Sequence, residues 1–212
     1  MIKGVLVMIK KGKFVVLEGG DGSGKGTIST HLQNVFKDEN VIFTREPGGT
    51  PLGEKLRTLL LESDMSTTAE LLLFEAARSE HIETVIAPQL ARGTNVICDR
   101  FDASTFAYQV VARWKKKHAE FFSFVNKEVV GRVVPDLYLF CDITPKAALR
   151  RRMSAGGEIT RFDKEGTAFH EAVYRGYKEF LKDRPYVFID ATQSIMEMTK
   201  AAEGIVRAEF GL

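Results

Sequence analysis

A chain of 212 residues, 44% of them hydrophobic, is long enough for one globular domain with a sizeable core. Thirty Lys and Arg against 28 Asp and Glu leave a net charge of +2, too small to make nucleic acid or a membrane surface the default partner. Both cysteines, Cys98 and Cys141, lie inside apolar runs, which argues against a disulfide framework and for a reducing cytoplasm. The apolar patch in "MIKGVLVMIKKGK" is too short for a signal-peptide core or a membrane span. Residues 1–12 are therefore expected to be an extension without function, with Met8 an alternative start.

The first predicted strand, 13–19 ("KFVVLEG"), runs into "GGDGSGKGT" and a helix over 25–38. Strand, glycine-rich loop and helix in this order are the setting of a phosphate-binding P-loop, whose backbone N–H groups and helix N-terminus receive phosphate oxygens. Gly19, Gly24 and Lys25 match G-x-x-x-x-G-K-[ST]. Gly26 stands where the Mg²⁺-binding hydroxyl belongs, and Thr27 comes one residue late.

A second strand over 41–46 leads through "EPGGT" to a helix over 51–62. Arg45 and Arg57 either converge on a phosphate monoester, which the guanidinium fork suits, or are ordinary loop and helix charges. The helix over 67–92 places Phe74 and Arg78 one turn apart on one face, able to stack on a base and donate to its carbonyl, or simply core and surface. The third strand, 95–100, ends in Asp99 and Arg100, at the sheet edge where ligands sit in open α/β folds. Asp99 is a candidate for organising Mg²⁺ through water, and Arg100 for neighbouring the transferring phosphoryl group. Ser104, Thr105 and Gln109 follow on a helix predicted over 103–130. Its "RWKKKH" run (113–118) reads as a solvated basic face.

Two more strands are predicted, over 136–143 and 185–191, with helices over 145–154, 165–183 and 194–209. Between them, Arg150, Arg151, Arg152 and Arg161 around a glycine pair suggest a mobile lid over about 150–163 that closes on phosphates. The turn "FIDATQS" is placed to cradle a purine. The four histidines lack metal-ligand spacing. Strand–helix alternation with continuous apolar strands predicts an α/β domain: a five-stranded parallel sheet covered on both faces by helices.

Taken in order, "EGGDGSGKGT", "TREPGGTPLGEKLR", "LLLFEAARSEH", "CDRFDASTFAYQ", "VPDLYLFCDITP" and "TRFD" give a sequence that resembles the thymidylate kinase family over nearly its whole length, 13–212. The resemblance implies a P-loop kinase fold, a homodimer, and Mg²⁺–ATP-dependent phosphorylation of dTMP to dTDP. By resemblance, ATP would be held by Gly19, Gly20, Asp21, Gly22, Ser23, Gly24, Lys25, Gly26 and Thr27, with Arg151 on the adenine and Ala191 and Thr192 along its edge. Phe74 would stack on thymine and Arg78 would meet its O4. Arg57 and Arg100 would hold the phosphate, with Arg45 in a lesser part. Ser104, Thr105 and Gln109 would contact the base, Tyr108 the deoxyribose, and Asp21 the 3′-hydroxyl. Lys25, Asp99, Arg100 and Arg161 would form the catalytic set, with Thr27 and Asp99 toward the metal. Within the family, one group carries an arginine in the P-loop and another uses lid arginines; Gly22 places this chain with the second. Gly26 and Phe101 depart from the usual Ser or Thr and Tyr, although GKGT is ordinary in adenylate kinase relatives. Three other readings stand beside this one: another monophosphate kinase, a nucleotide-binding protein without turnover, and a nucleic-acid-stimulated ATPase.

Overall fold

A computed structural model describes residues 11–156 and 160–212; residues 1–10 of the expected extension and 157–159 of the expected lid lie outside them. All five predicted strands form: β1 (Phe14–Glu18), β2 (Val41–Arg45), β3 (Asn95–Asp99), β4 (Leu137–Asp142) and β5 (Tyr186–Asp190). They join in one parallel sheet of order β2-β3-β1-β4-β5. The chain runs outward from β1 on one side and later on the other, so its direction of travel reverses beside β1. A crevice for ligand opens at the carboxyl ends of the strands there.

Every residue of β1 is buried, which explains its unbroken apolar run. Because strand side chains alternate, Phe14 and Val16 join one core with Leu71, Val96, Tyr138 and Tyr177, while Val15 and Leu17 join another with Ile28, Leu32, Leu139 and Met198. The helices covering these faces are α1 (Lys25–Val35), α2 (Pro51–Glu62), α3 (Thr67–His81), α4 (Ala87–Ala91), α5 (Asp102–Thr105), α6 (Ala119–Val130), α7 (Pro145–Ala155), α8 (Thr167–Leu181) and α9 (Ile195–Phe210). A reciprocal capping box between Ser194 and Glu197 starts α9. Among the described residues, no helix is long and apolar enough to cross a membrane.

Two expectations need correction. β5 is an edge strand, and Tyr186 and Phe188 are exposed, the Lys178 ammonium lying 5.4 Å from the Phe188 ring on a face no helix fully covers. The continuous helix expected over 103–130 is instead α5, a π-helical stretch Phe106–Arg113, a turn with Lys115 and Lys116 at φ 47° and 67°, and α6. The widened stretch packs closely on α8, where a Cβ at Gly176 would lie 2.7 Å from the Ala107 Cα. Lys115, Lys116 and Lys117 are exposed, as a solvated basic face requires, while Trp114 is buried, its ring edge-on to that of His118.

Candidate active site

The P-loop leaves β1 and enters α1 through Gly24, which adopts φ 96° as the N-cap, and Lys25 is buried in the first helical turn. Gly22, at φ 79°, packs so closely under α7 that a Cβ there would lie 2.0 Å from the Ala148 carbonyl oxygen and 3.1 Å from the Arg152 Cβ. A side chain at this position has no room: the Ala148 backbone closes it, with the Arg152 Cβ alongside. Gly26 is the opposite case: a Cβ built on it meets nothing within 4 Å. Glycine inside a helix is unfavourable, so Gly26→Ser is expected to raise stability by about 0.5 kcal/mol and leave phosphoryl transfer intact. Thermal melting and steady-state kinetics check both.

At the end of β3, Arg100 sits at φ 71°, a backbone conformation that costs energy for a side chain of its size. Its Nη1 donates to the Gly19 carbonyl (3.1 Å), Ser104 Oγ (3.2 Å) and Tyr177 OH (2.9 Å), and its Nη2 to Asp21 Oδ1 (2.6 Å). Burial alone would depress this guanidinium, but Tyr108, Tyr177, Asp21 and Asp99 outweigh it and hold the charge firmly. Asp21 responds in kind. Burial raises its carboxyl, yet Arg100 and Lys25 bring it down to about 2, and Tyr108 OH donates to its Oδ2 at 2.9 Å.

Beneath this loop, the Glu18 carboxylate is fully buried and accepts from Phe101 N (2.9 Å), Ser104 N (3.2 Å) and Ser104 Oγ (2.6 Å). Burial lifts its pKa from 4.5 to about 7. Between those two values the folded state binds more protons than the unfolded chain, so this group makes stability fall as pH rises through the window. A shift of this size corresponds to roughly 3 kcal/mol. Glu18→Gln is expected to flatten that part of the stability–pH curve, as measured by urea unfolding at pH 5 and pH 8.

A cleft opens above these groups, and all nine residues expected to hold dTMP line it: Asp21, Arg57, Phe74, Arg78, Arg100, Ser104, Thr105, Tyr108 and Gln109. Arg78 is buried and held by Glu46 Oε2 (2.9 Å), Glu75 Oε1 (2.6 Å) and Thr105 Oγ1 (2.7 Å). Burial depresses it, but Glu75, Glu46 and Asp102 more than restore its charge. Arg57 donates to the Pro47 carbonyl at 2.9 Å; burial and then Arg45 push its pKa down, and the nearby Glu54 and Asp99 carboxylates offset this only in part. Arg45 is itself tied to both oxygens of Glu54 and exposed. Ser104 gives its hydroxyl proton to Glu18, so it braces Arg100 more than it addresses the cleft.

On the lid side, Arg151 Nη1 donates to the Ala191 carbonyl at 2.5 Å, joining the two elements expected to flank adenine. Arg152 forms a double contact with Asp163, at 3.0 and 3.1 Å. Arg161 points away from the P-loop: its Nη2 lies 2.5 Å from Glu70 Oε2 and its Nε donates to the Leu60 carbonyl at 2.7 Å. The structure therefore does not bring Arg161 to Lys25 and Arg100. At the end of β3, Asp99 Oδ1 is buried with no hydrogen-bond partner among the described residues, and Thr27 is exposed on α1.

The sequence model of the thymidylate kinase family matches residues 17–202. The chain is 41% identical to the thymidylate kinase of Finegoldia magna over 87% of its own length and 93% of the relative's. It is 40% identical to those of Pseudomonas entomophila (92% and 95%) and Protochlamydia amoebophila (91% and 91%). The chain belongs to the thymidylate kinase family. Several residues around the cleft have no role assigned from the sequence: Glu18, Glu46, Glu70, His81 and Tyr177. The available signal was a charged or polar residue closing an apolar run, as in "VVLEG" and "LLLFEAARSEH". His81, fully buried, shows what such a residue does: it bridges Thr44 Oγ1 (2.6 Å) and Glu46 Oε1 (3.0 Å), behind Arg78.

Proposed function

We propose that the chain transfers the γ-phosphoryl group of ATP to the 5′-phosphate of dTMP, giving ADP and dTDP. One observation carries this reading: Asp21, Arg57, Phe74, Arg78, Arg100 and Gln109, from five separate segments, line a single cleft beside the P-loop. Phe74 stacks on thymine, Arg78 donates to O4, and Thr105 and Gln109 meet the rest of the base edge. Arg57 and Arg100 hold the phosphate, with Arg45 a more distant contributor. Tyr108 lies against the deoxyribose where a 2′-hydroxyl would crowd it, and Asp21 beside the 3′-hydroxyl.

On the donor side the loop Gly19–Thr27 wraps the phosphates, Lys25 reaches the β- and γ-phosphates, and Arg151, Ala191 and Thr192 flank the adenine. The acceptor oxygen of dTMP is already anionic at neutral pH, so no general base is required. Its lone pair forms the new P–O bond as the bond to the ADP oxygen breaks in line. Catalysis is then positioning and charge stabilisation by Lys25 and Arg100. Arg161 joins them by exchanging Glu70 for phosphate as the lid closes, and Arg152 already lies against the loop. Mg²⁺ fits the residues present, because the unpartnered Asp99 Oδ1 and the Thr27 hydroxyl offer oxygen ligands directly or through water. When bound, it would neutralise charge on the transferring phosphates.

A homodimer accords with the large apolar side chains exposed on neighbouring helices, Leu72 on α3 and Phe121 and Phe124 on α6. A reducing cytoplasm accords with the free, buried Cys98 and Cys141. The test is ADP formation from Mg²⁺–ATP with dTMP, dUMP, UMP, CMP, AMP and GMP in turn. Selective turnover of dTMP is expected. Preference for AMP or CMP would overturn the roles of Phe74 and Arg78, and silence with ATP bound would leave a nucleotide-binding protein without turnover.

A further inference from the structure

Glu70, Phe74 and Arg78 follow one another at four-residue spacing, so they form a single stripe along α3. Phe74 and Arg78 line the cleft; Glu70 stands just behind it, with its side chain 2% exposed. A buried carboxylate needs compensating charge and hydrogen bonds. Arg161 supplies the first at 2.5 Å from Oε2, with the Arg113 Nε 3.7 Å from Oε1, and Gln109 Nε2 donates to Oε1 at 2.8 Å.

That last contact decides which end of an amide faces the base. A carboxylate only accepts hydrogen bonds, so the Gln109 NH₂ must be the end turned toward Glu70. The Gln109 Oε1 is left for the cleft, and among the described residues no group donates to it. We infer that Glu70 is a specificity-determining positioning residue: it locks Gln109 as an acceptor, so that the cleft takes a pyrimidine with a protonated N3 and rejects cytosine.

The inference rests on the dTMP reading above. Thymine offers an acceptor at O4 and a donor at N3–H; cytosine offers an amino donor at position 4 and a lone pair at N3. Arg78 and the fixed Gln109 Oε1 complement the first edge and oppose the second at both positions. Thr105 fits the same scheme: its Oγ1 already accepts from Arg78 Nη2, which leaves its own proton to donate. Without the lock, a free amide could rotate and serve either base, since its two ends are nearly identical in shape. Uracil shares the O4 and N3–H pattern, so Glu70 makes no distinction between dTMP and dUMP.

The experiment is a comparison of kcat/KM for dTMP, dUMP and dCMP in the full-length enzyme and its Glu70→Gln, Glu70→Asp and Gln109→Met variants, with melting temperature and KM for ATP read alongside. In Glu70→Gln the new amide turns its NH₂ to the Gln109 oxygen and frees Gln109 to reverse. The dTMP:dCMP preference is expected to fall about 10- to 100-fold, the effect of one mismatched buried hydrogen bond, with dTMP:dUMP unchanged. Glu70→Asp, still acceptor-only, is expected to keep the preference. Gln109→Met is expected to lower it by a similar amount, since Arg78 still selects at position 4, and adding Glu70→Gln to that background to change it no further. An unchanged dTMP:dCMP ratio in Glu70→Gln, or equal losses for all three substrates, overturns the inference. Should Glu70→Gln fail to fold, an unchanged ratio in Gln109→Met overturns it equally well. Failure of the wild-type enzyme to use dTMP at all is a separate outcome: it refutes the substrate reading, and this inference falls with it.

Discussion

Replacing Lys25 by alanine is expected to lower kcat by about 10²–10³-fold while the fold survives. The lysine is buried in the first turn of α1, yet the helix is anchored by Ile28 and Leu32, which are fully buried on the sheet, and alanine suits a helix better than any other residue. The melting temperature should therefore move little. The loss falls on catalysis because the ammonium is a preorganised charge where negative charge accumulates during transfer. The KM for dTMP should change much less, since Arg57, Arg100, Phe74 and Arg78 line the cleft and Lys25 does not. Lys25 is also the second cation, after Arg100, that holds Asp21 down near 2. The variant's Asp21 should titrate higher, which NMR of the carboxyl carbon would read. Near-wild-type turnover would remove the P-loop assignment.

How much of this was legible beforehand depends on the distance over which each signal acts. β1, β3 and β4 announced themselves because their burial on both faces leaves a continuous apolar run, a local property. β5 carried a similar run but occupies the sheet edge, and edge position is a property of topology. The π-helical stretch Phe106–Arg113 has the apolar pattern of an ordinary helix, since its bonds span only one more residue. The nine residues that the resemblance assigns to dTMP all line the cleft, because motifs concentrate where backbone and ligand meet. Their supports were not legible in this way, because each partner sits far along the chain: Glu18 lies 86 residues from Ser104, Glu46 lies 32 from Arg78, and Glu70 lies 39 from Gln109. A lone glutamate near a helix start looks like dipole compensation until the fold supplies its partner. The lid shows the same limit. The resemblance singles out Arg161 for the catalytic set, whereas the packing of Gly22 under α7 puts Arg152 beside the P-loop and leaves Arg161 on Glu70.

Arg100→Lys is expected to reduce kcat/KM for dTMP by about 10²–10³-fold, although it keeps the charge. The reason is the geometry of the fork. One planar guanidinium reaches the Gly19 carbonyl, Ser104, Tyr177 and Asp21 together, and its carbon lies 5.3 Å from the centre of the Tyr108 ring. A lysine ammonium is a point charge with three donors on a flexible stem and cannot satisfy all four partners at fixed angles. The backbone should hold, because Arg100 N donates to the Leu17 carbonyl at 2.9 Å and Glu18 grips the next residues from below. The cost of the left-handed conformation is thus kept while the guanidinium it aims is lost. Comparing Lys with Ala at this position separates two contributions. If charge alone matters, Arg100→Lys will retain most activity and Arg100→Ala will not. If the fork matters, the two variants will lose similar amounts of kcat/KM, and only Arg100→Ala will let the Asp21 carboxyl rise. The second pattern is the one this site predicts, because the same guanidinium ties the P-loop at Gly19 and Asp21 and α8 at Tyr177 into one rigid wall of the cleft.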